Sequence, residues 1–190
     1  MKTGVLIVNI GTPESPSTQD VGFYLKKFLM DEDVIALPYL FRWILVNLII
    51  VPFRAVRSAA KYAKIWTPEG SPLKVNTEAF AQELQGLLNT DYSVKIGMSF
   101  SEPSIWTSLN QFKNENIDKI IICPMFPQYA DATTGSVIKS VLKFARKINL
   151  SADIKFIKPF HNQDFYLNSV FEKMKSVRPQ HWIFSYHGLP

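Results

Sequence analysis

Short runs rich in β-branched residues alternate along the chain with longer stretches whose apolar positions recur every three or four residues. The first kind predicts strands at residues 5–10, 92–98, 119–123, 154–157 and 182–186. The second predicts helices at 18–30, 77–88, 104–114, 136–147 and 163–177. Thr77 precedes Glu78 and the apolar set Phe80, Leu84, Leu87 and Leu88, while Ser17 or Thr18 can cap the first helix with Asp20 in its first turn. Strands separated by helices imply parallel crossovers with helices on both faces, a three-layer α/β/α arrangement. Such sheets hold ligands in crevices at the carboxyl ends of their strands, and candidate chemistry is sought there.

Two segments at opposite ends share a shape, an apolar strand running into glycine and proline. One is Leu6-Ile7-Val8-Asn9-Ile10-Gly11-Thr12-Pro13, the other Trp182-Ile183-Phe184-Ser185-Tyr186-His187-Gly188-Leu189-Pro190. As an internal repeat they divide the chain into a domain at 1–178 and, at 179–190, the first strand of a second domain that is otherwise absent. Chance similarity between two strand–turn units is the competing reading.

Residues 39–53 are the one candidate membrane segment. Their uncharged part, 43–53, contains Asn47 and Pro52 and falls short of the about 20 apolar residues a spanning helix needs. Flanked by Arg42, Arg54 and Arg57, the segment suits a membrane surface or the mouth of a cavity. A buried core helix fits the periodicity equally well.

Composition narrows the classes. Apolar residues make up 47% of the 190 and charged residues 19%, enough to bury a core. Fourteen Phe and four Trp suit either that core or a flat apolar surface. The formal charge of +5 fits nucleic acid, an anionic membrane or a carboxylate-bearing ligand. No dense Lys/Arg run interleaved with stacking aromatics occurs, so nucleic acid is not an expected partner. The single cysteine, Cys123, excludes an intrachain disulfide and a Cys-rich zinc site and suits a reducing compartment. The opening strand runs into a Gly-Thr-Pro turn where a signal peptide would carry a cleavage site, so no signal peptide is expected, and the cysteine usage sets the expected location as the cytoplasm.

His187 is the strongest single chemical candidate. It follows a predicted strand and precedes Gly188, at a carboxyl end where an imidazole can take protons or bind metal near neutral pH. His161 and His181 read as surface residues. Gly11-Thr12-Pro13 and Thr133-Thr134-Gly135-Ser136 both precede helices and offer backbone N–H groups to an anion, although ordinary turns explain each. Neither matches a dinucleotide or phosphate-loop fingerprint, and no nucleotide cofactor is expected. Arg54 and Arg57 share one face if helical, and with Tyr62 and Ser71 form a group able to bind carboxylates. A solvated helix face is the plainer reading of that group.

Read together, four blocks resemble the ferrochelatase (protohaem ferro-lyase) family in order and spacing. They are Asn9-Ile10-Gly11-Thr12-Pro13, Gly70-Ser71-Pro72, Pro127-Gln128-Tyr129 with Thr133-Thr134-Gly135-Ser136, and Ser185-Tyr186-His187-Gly188-Leu189-Pro190. The second half of this set is the specific part. The resemblance covers essentially the whole chain and corresponds to the N-terminal portion of a family member. It implies one of two chelatase-like, Rossmann-like α/β domains with a porphyrin cleft between them, and insertion of ferrous iron into protoporphyrin IX.

On that resemblance His187 matches the family's active-site histidine, which accepts pyrrole protons or helps deliver iron. Arg54 and Arg57 match positions that bind porphyrin propionates, Tyr62 and Ser71 the accompanying hydroxyl positions, and Ile10 and Tyr129 further porphyrin contacts. An apolar residue at Ile10, with the apolar lip 39–53, implies a protoporphyrin-using type with peripheral membrane contact. Ser99 stands where many eukaryotic members have Arg. Asp131 stands where some members have a cluster-ligating Cys, so no iron–sulfur cluster is expected and Fe²⁺ enters only as substrate. The catalytic glutamate lies in the family's second half, which implies that this portion alone is inactive. Competing readings are a non-catalytic porphyrin- or haem-binding domain, a homodimeric chelatase for another metal or tetrapyrrole, and a generic interaction domain with a membrane-facing patch.

Overall fold

A computed structural model describes residues 2–175, 177 and 181–185. Four parallel strands, β1 (Thr3–Asn9), β2 (Tyr92–Met98), β3 (Lys119–Pro124) and β4 (Asp153–Phe156), form one sheet in the order β2-β1-β3-β4. β1 is central and buried on both faces along nearly its whole length, as parallel sheets require. Leu6 pairs with Lys95 on one side and Ile122 on the other, which places Leu6, Val8, Ile120 and Ile122 on one face. Helices α5 (Ile105–Asn114) and α6 (Ser136–Lys147) close that face with Leu109, Phe112, Val137 and Val141. Phe112 lies so close to β1 that a Cβ at Gly4 would stand 2.9 Å from its ring, so only glycine fits there.

α4 (Pro72–Leu87) covers the opposite face over β2 and β1. It starts at Pro72 rather than Thr77, because proline at the first helical turn needs no N–H donor and its fixed φ is already helical. The expected α/β/α layering is what forms. Residues 182–185, expected as a strand, are exposed and pair with none of the four. Tyr186 and His187 lie outside the described residues.

α1 (Thr18–Leu29) begins where Ser17 accepts from the N–H of Asp20 at 3.1 Å. It packs against a 27-residue helical rod, Tyr39–Ile65. The rod comprises α2 (Tyr39–Ile44), a π-helical stretch at Leu45–Ile50 and α3 (Val51–Ile65). Pro52 does not end it. Lacking an N–H, Pro52 sits in the first turn of α3, and the preceding helix widens so that Val51 N–H reaches Val46 O.

By length and composition alone the rod could cross a membrane, since its helical span runs past the uncharged segment considered above. Only 17% of its apolar window is buried among the described residues, so no core within this chain covers it. Buried Arg42 ties the rod to the preceding loop by donating from Nη1 to Ile35 O and Leu37 O at 3.1 and 3.0 Å. The last helix, α7 (Asp164–Lys175), buries none of its side chains.

Candidate functional site

β1 connects onward to β2 on one side, while its neighbour β3 connects onward to β4 on the other. The connections therefore diverge at the carboxyl ends of β1 and β3 and open a crevice there, the usual ligand position in open α/β sheets. Ile10 follows β1 at this crevice, half-buried, with its carbonyl accepting from Phe100 N–H at 3.1 Å. Gly11 follows with φ 101°, and a Cβ there would come within 2.7 Å of Ser101 Oγ. Thr12 N–H donates to that same Ser101 hydroxyl at 3.1 Å.

Ser71 is 4% exposed, and its Oγ accepts from Thr12 Oγ1 at 2.8 Å. Its hydroxyl therefore fastens the turn before α4 to the loop after β1. Asn9 adds a second fastening, from Nδ2 to Thr77 Oγ1 at 3.2 Å. The Thr67–Gly70 turn leading into Ser71 is closed by reciprocal backbone bonds of 3.0 Å.

α3 brings Tyr62 to this turn through Trp66, whose ring meets it edge-on at 6.4 Å. Tyr24 on α1 also meets Tyr62 edge-on, with ring centroids 6.4 Å apart. Burial, then the Tyr62 hydroxyl beside it, pushes the Tyr24 phenol well above its ordinary range. Burial raises Tyr62 too, while the neighbouring Tyr24 hydroxyl works against that rise. Arg54 and Arg57 project from the exposed side of α3 and have no ion pair among the described residues.

Tyr129 stands beyond β3, exposed, with its hydroxyl donating to Asp131 Oδ1 at 2.8 Å. That bond to a carboxylate raises the phenol's pKa. Gly135 lies against this pair, since a Cβ there would meet Tyr129 OH at 3.0 Å. α6 is joined across the crevice to the loop after α1 through Ser136 Oγ, which donates to Asp31 at 2.9 Å, and a Lys139–Asp33 ion pair.

A polar hollow of about 270 Å³ lies beside Ser71, between Pro13, Trp66 and Lys74, with Glu14, Glu69 and Glu78 also lining it. It is smaller than the about 300–1,000 Å³ of typical small-molecule pockets. Among the described residues no three His, Cys, Asp or Glu side chains are grouped to hold a metal ion. His161 and His181 are exposed, as expected of surface residues. His187 lies outside the described residues.

The crevice thus brings Ile10 and Tyr129 to its two sides and joins Tyr62 to Ser71 through one turn. Sequence reasoning passed over Tyr24 and Ser101 and read Thr12 only as part of the Gly11-Thr12-Pro13 turn; the roles of all three come from contacts between segments far apart in the chain. It also passed over Lys61 and Lys64, although their spacing continues that of Arg54 and Arg57.

A family model described as Ferrochelatase matches residues 2–190. The ferrochelatase of Bdellovibrio bacteriovorus is 45% identical over 193 aligned residues, covering 100% of this chain and 58% of the relative. Ferrochelatases of Coxiella burnetii and Legionella pneumophila are 41% and 38% identical, again over 100% of this chain and over 53% and 57% of theirs. The chain spans little more than half the length of these curated relatives.

Proposed function

Because the chain belongs to the ferrochelatase family, we propose that it builds one wall of a site that inserts ferrous iron into protoporphyrin IX to form protohaem. The supporting observation is the family match along the whole chain, together with a crevice at the strand ends that carries Ile10 and Tyr129.

A porphyrin is flat, keeps its nitrogen lone pairs in the ring plane and carries two N–H protons. Insertion exchanges those two protons for one Fe²⁺, so the product ring gains metal and releases two protons. Arg54 and Arg57 take the propionate carboxylates, a pairing that guanidinium forks make bidentately. Tyr62 donates its hydroxyl at the same edge. Ile10 and Tyr129 offer apolar and aromatic surface to the ring. Ser71 acts through Thr12, holding the loop after β1 in place. Edge binding offsets ring puckering, a distortion of about 1–5 kcal/mol.

His187 takes the pyrrole protons as general base and helps deliver iron, a role worth about 10²–10⁴-fold in rate. No iron–sulfur cluster belongs to this proposal, since Asp131 stands at the position in question and accepts from Tyr129. The facing wall, with a carboxylate as a second base opposite His187, comes from the remaining length that the relatives possess. The chain alone is therefore a porphyrin binder without turnover. The location proposed is cytoplasmic, with peripheral attachment through residues 39–53.

The test is metal insertion by the full-length source protein with His187→Ala. Loss of insertion with an unchanged porphyrin Soret titration is expected; retained insertion removes His187 from the mechanism. Absence of any Soret shift with the unaltered full-length protein would leave an interaction domain without tetrapyrrole.

A further inference from the structure

Charge is distributed unevenly over this molecule. The chain holds 21 Lys and Arg against 16 Asp and Glu. The Tyr39–Ile65 rod contains Arg42, Arg54, Arg57, Lys61 and Lys64 and no acidic residue, so it carries the whole formal excess of +5 and the rest of the chain is balanced. Arg42 is buried against backbone carbonyls. The other four follow one another on α3 at intervals of three, four and three residues, which aligns them along one helix face. All four are exposed, and none has an ion pair or hydrogen bond among the described residues.

From Arg54 to Lys64 the stripe is about 15 Å long. A porphyrin presents two propionates, which Arg54 and Arg57 already satisfy, so Lys61 and Lys64 face no anion that the proposed substrate supplies. Beside the basic stripe runs an apolar one, with Phe53 75% and Val56 60% exposed and Leu48 and Ile49 continuing it toward the π-helical stretch. An exposed apolar stripe flanked by cations is the pattern of a helix that lies in a lipid interface.

We infer that α3 reads an anionic bilayer surface, with Lys61 and Lys64 contacting lipid phosphates while Phe53 and Val56 enter the acyl boundary. This rests on the peripheral attachment proposed above and adds to it the chemistry of the surface and the residues that select it. The rod lies along the membrane, because a crossing orientation would draw the Arg54–Lys64 stripe through hydrocarbon. The crevice mouth is thereby held at the lipid boundary, where an apolar macrocycle partitions.

The experiment is vesicle co-sedimentation of the full-length source protein with neutral phosphatidylcholine and with mixed phosphatidylcholine–phosphatidylglycerol vesicles. The expected result is preference for the mixed vesicles, lost at about 1 M salt, where the screening length is about 3 Å. Lys61→Gln with Lys64→Gln should lower that partitioning about 30-fold, since each basic residue at such a surface is worth roughly fivefold. A charge-matched control, Lys143→Gln with Lys158→Gln on exposed positions away from the rod, should leave it within about twofold. The Lys61/Lys64 variant should also keep the wild-type Soret titration, which separates lipid reading from porphyrin binding. Equal binding to both vesicles, binding to neither because copies pair through the rod, or equal losses in variant and control would each overturn the inference. A Soret titration that fails while vesicle selectivity holds would overturn the porphyrin reading alone.

Discussion

α6 and α3 carry comparable amphipathic patterns and send them to opposite destinations. α6 buries Val137, Val141 and Ala145 against the sheet, where Leu6, Ile120 and Ile122 complete a dry core. α3 buries only Ala55 and Ala59, small enough for α1 to come close at Gly22, and leaves Phe53 and Val56 outside. Periodicity states that a helix has an apolar face. What covers that face depends on neighbours supplied from elsewhere: two strands for α6, and for the apolar side of α3 none among the described residues.

The contrast should break most visibly in stability. Phe112→Ala, under the central strand, is expected to cost about 3–5 kcal/mol in urea unfolding, because it removes a fully buried ring and leaves a cavity. Phe53→Ala, removing an equal ring from the rod, should change stability by less than about 0.5 kcal/mol. Equal costs would mean that the rod is packed as tightly as the sheet. Next in size is the joint between the two regions. Ser71→Ala leaves the buried Thr12 hydroxyl without its acceptor and should cost about 1–3 kcal/mol. It should also weaken porphyrin binding, a loss that a Soret titration would reveal.

Proton linkage separates the regions more gently. In the α1–α3 lobe, Tyr24 has a folded pKa raised by burial above the ordinary value of 10.0. Its contribution is fully present below pH 10 and is lost as pH rises toward the folded pKa, because the unfolded chain ionises first. At the sheet, burial pushes Glu115 upward, but hydrogen bonds from Lys95 and Ser93 outweigh it and leave the carboxyl below its ordinary 4.5. That contribution is present above pH 4.5 and fades as pH falls through the lowered value. Urea midpoints should therefore decline at both extremes, with Tyr24→Phe flattening only the alkaline limb and Glu115→Gln only the acidic one. A variant that flattens both limbs would contradict this division.

Where local pattern decided, the elements were legible. The β-branched runs located all four described strands, with β2 matched at both ends and β4 displaced by one residue. α4 was placed too late because Thr77 reads as a cap, whereas its hydroxyl bonds back to Leu73 O at 2.6 Å inside the helix. The rod was underestimated because Pro52 and Asn47 read as interruptions. Pro52 occupies a first-turn position, and Asn47 bonds to Trp43 O at 2.9 Å within the helix.

At the site, Arg54, Arg57, Tyr62 and Tyr129 were legible as residue types in a resembling pattern. Their surroundings were not. The engagement of Ser71 with Thr12, 59 positions away, and of Tyr62 with Tyr24 exists only once the crevice walls have assembled.

The widened stretch at Leu45–Ile50 also sets the angular phase of everything downstream. Each α-helical residue turns the chain by about 100°, so adding or removing one residue there would swing Arg54 through Lys64 about a quarter-turn around the axis. The cations would then leave the face they now share opposite Ala55 and Ala59, and Phe53 would rotate away from its present outlook. A helix that must aim guanidinium groups and oily side chains in different directions works like a keyed shaft, and this irregular turn is the key.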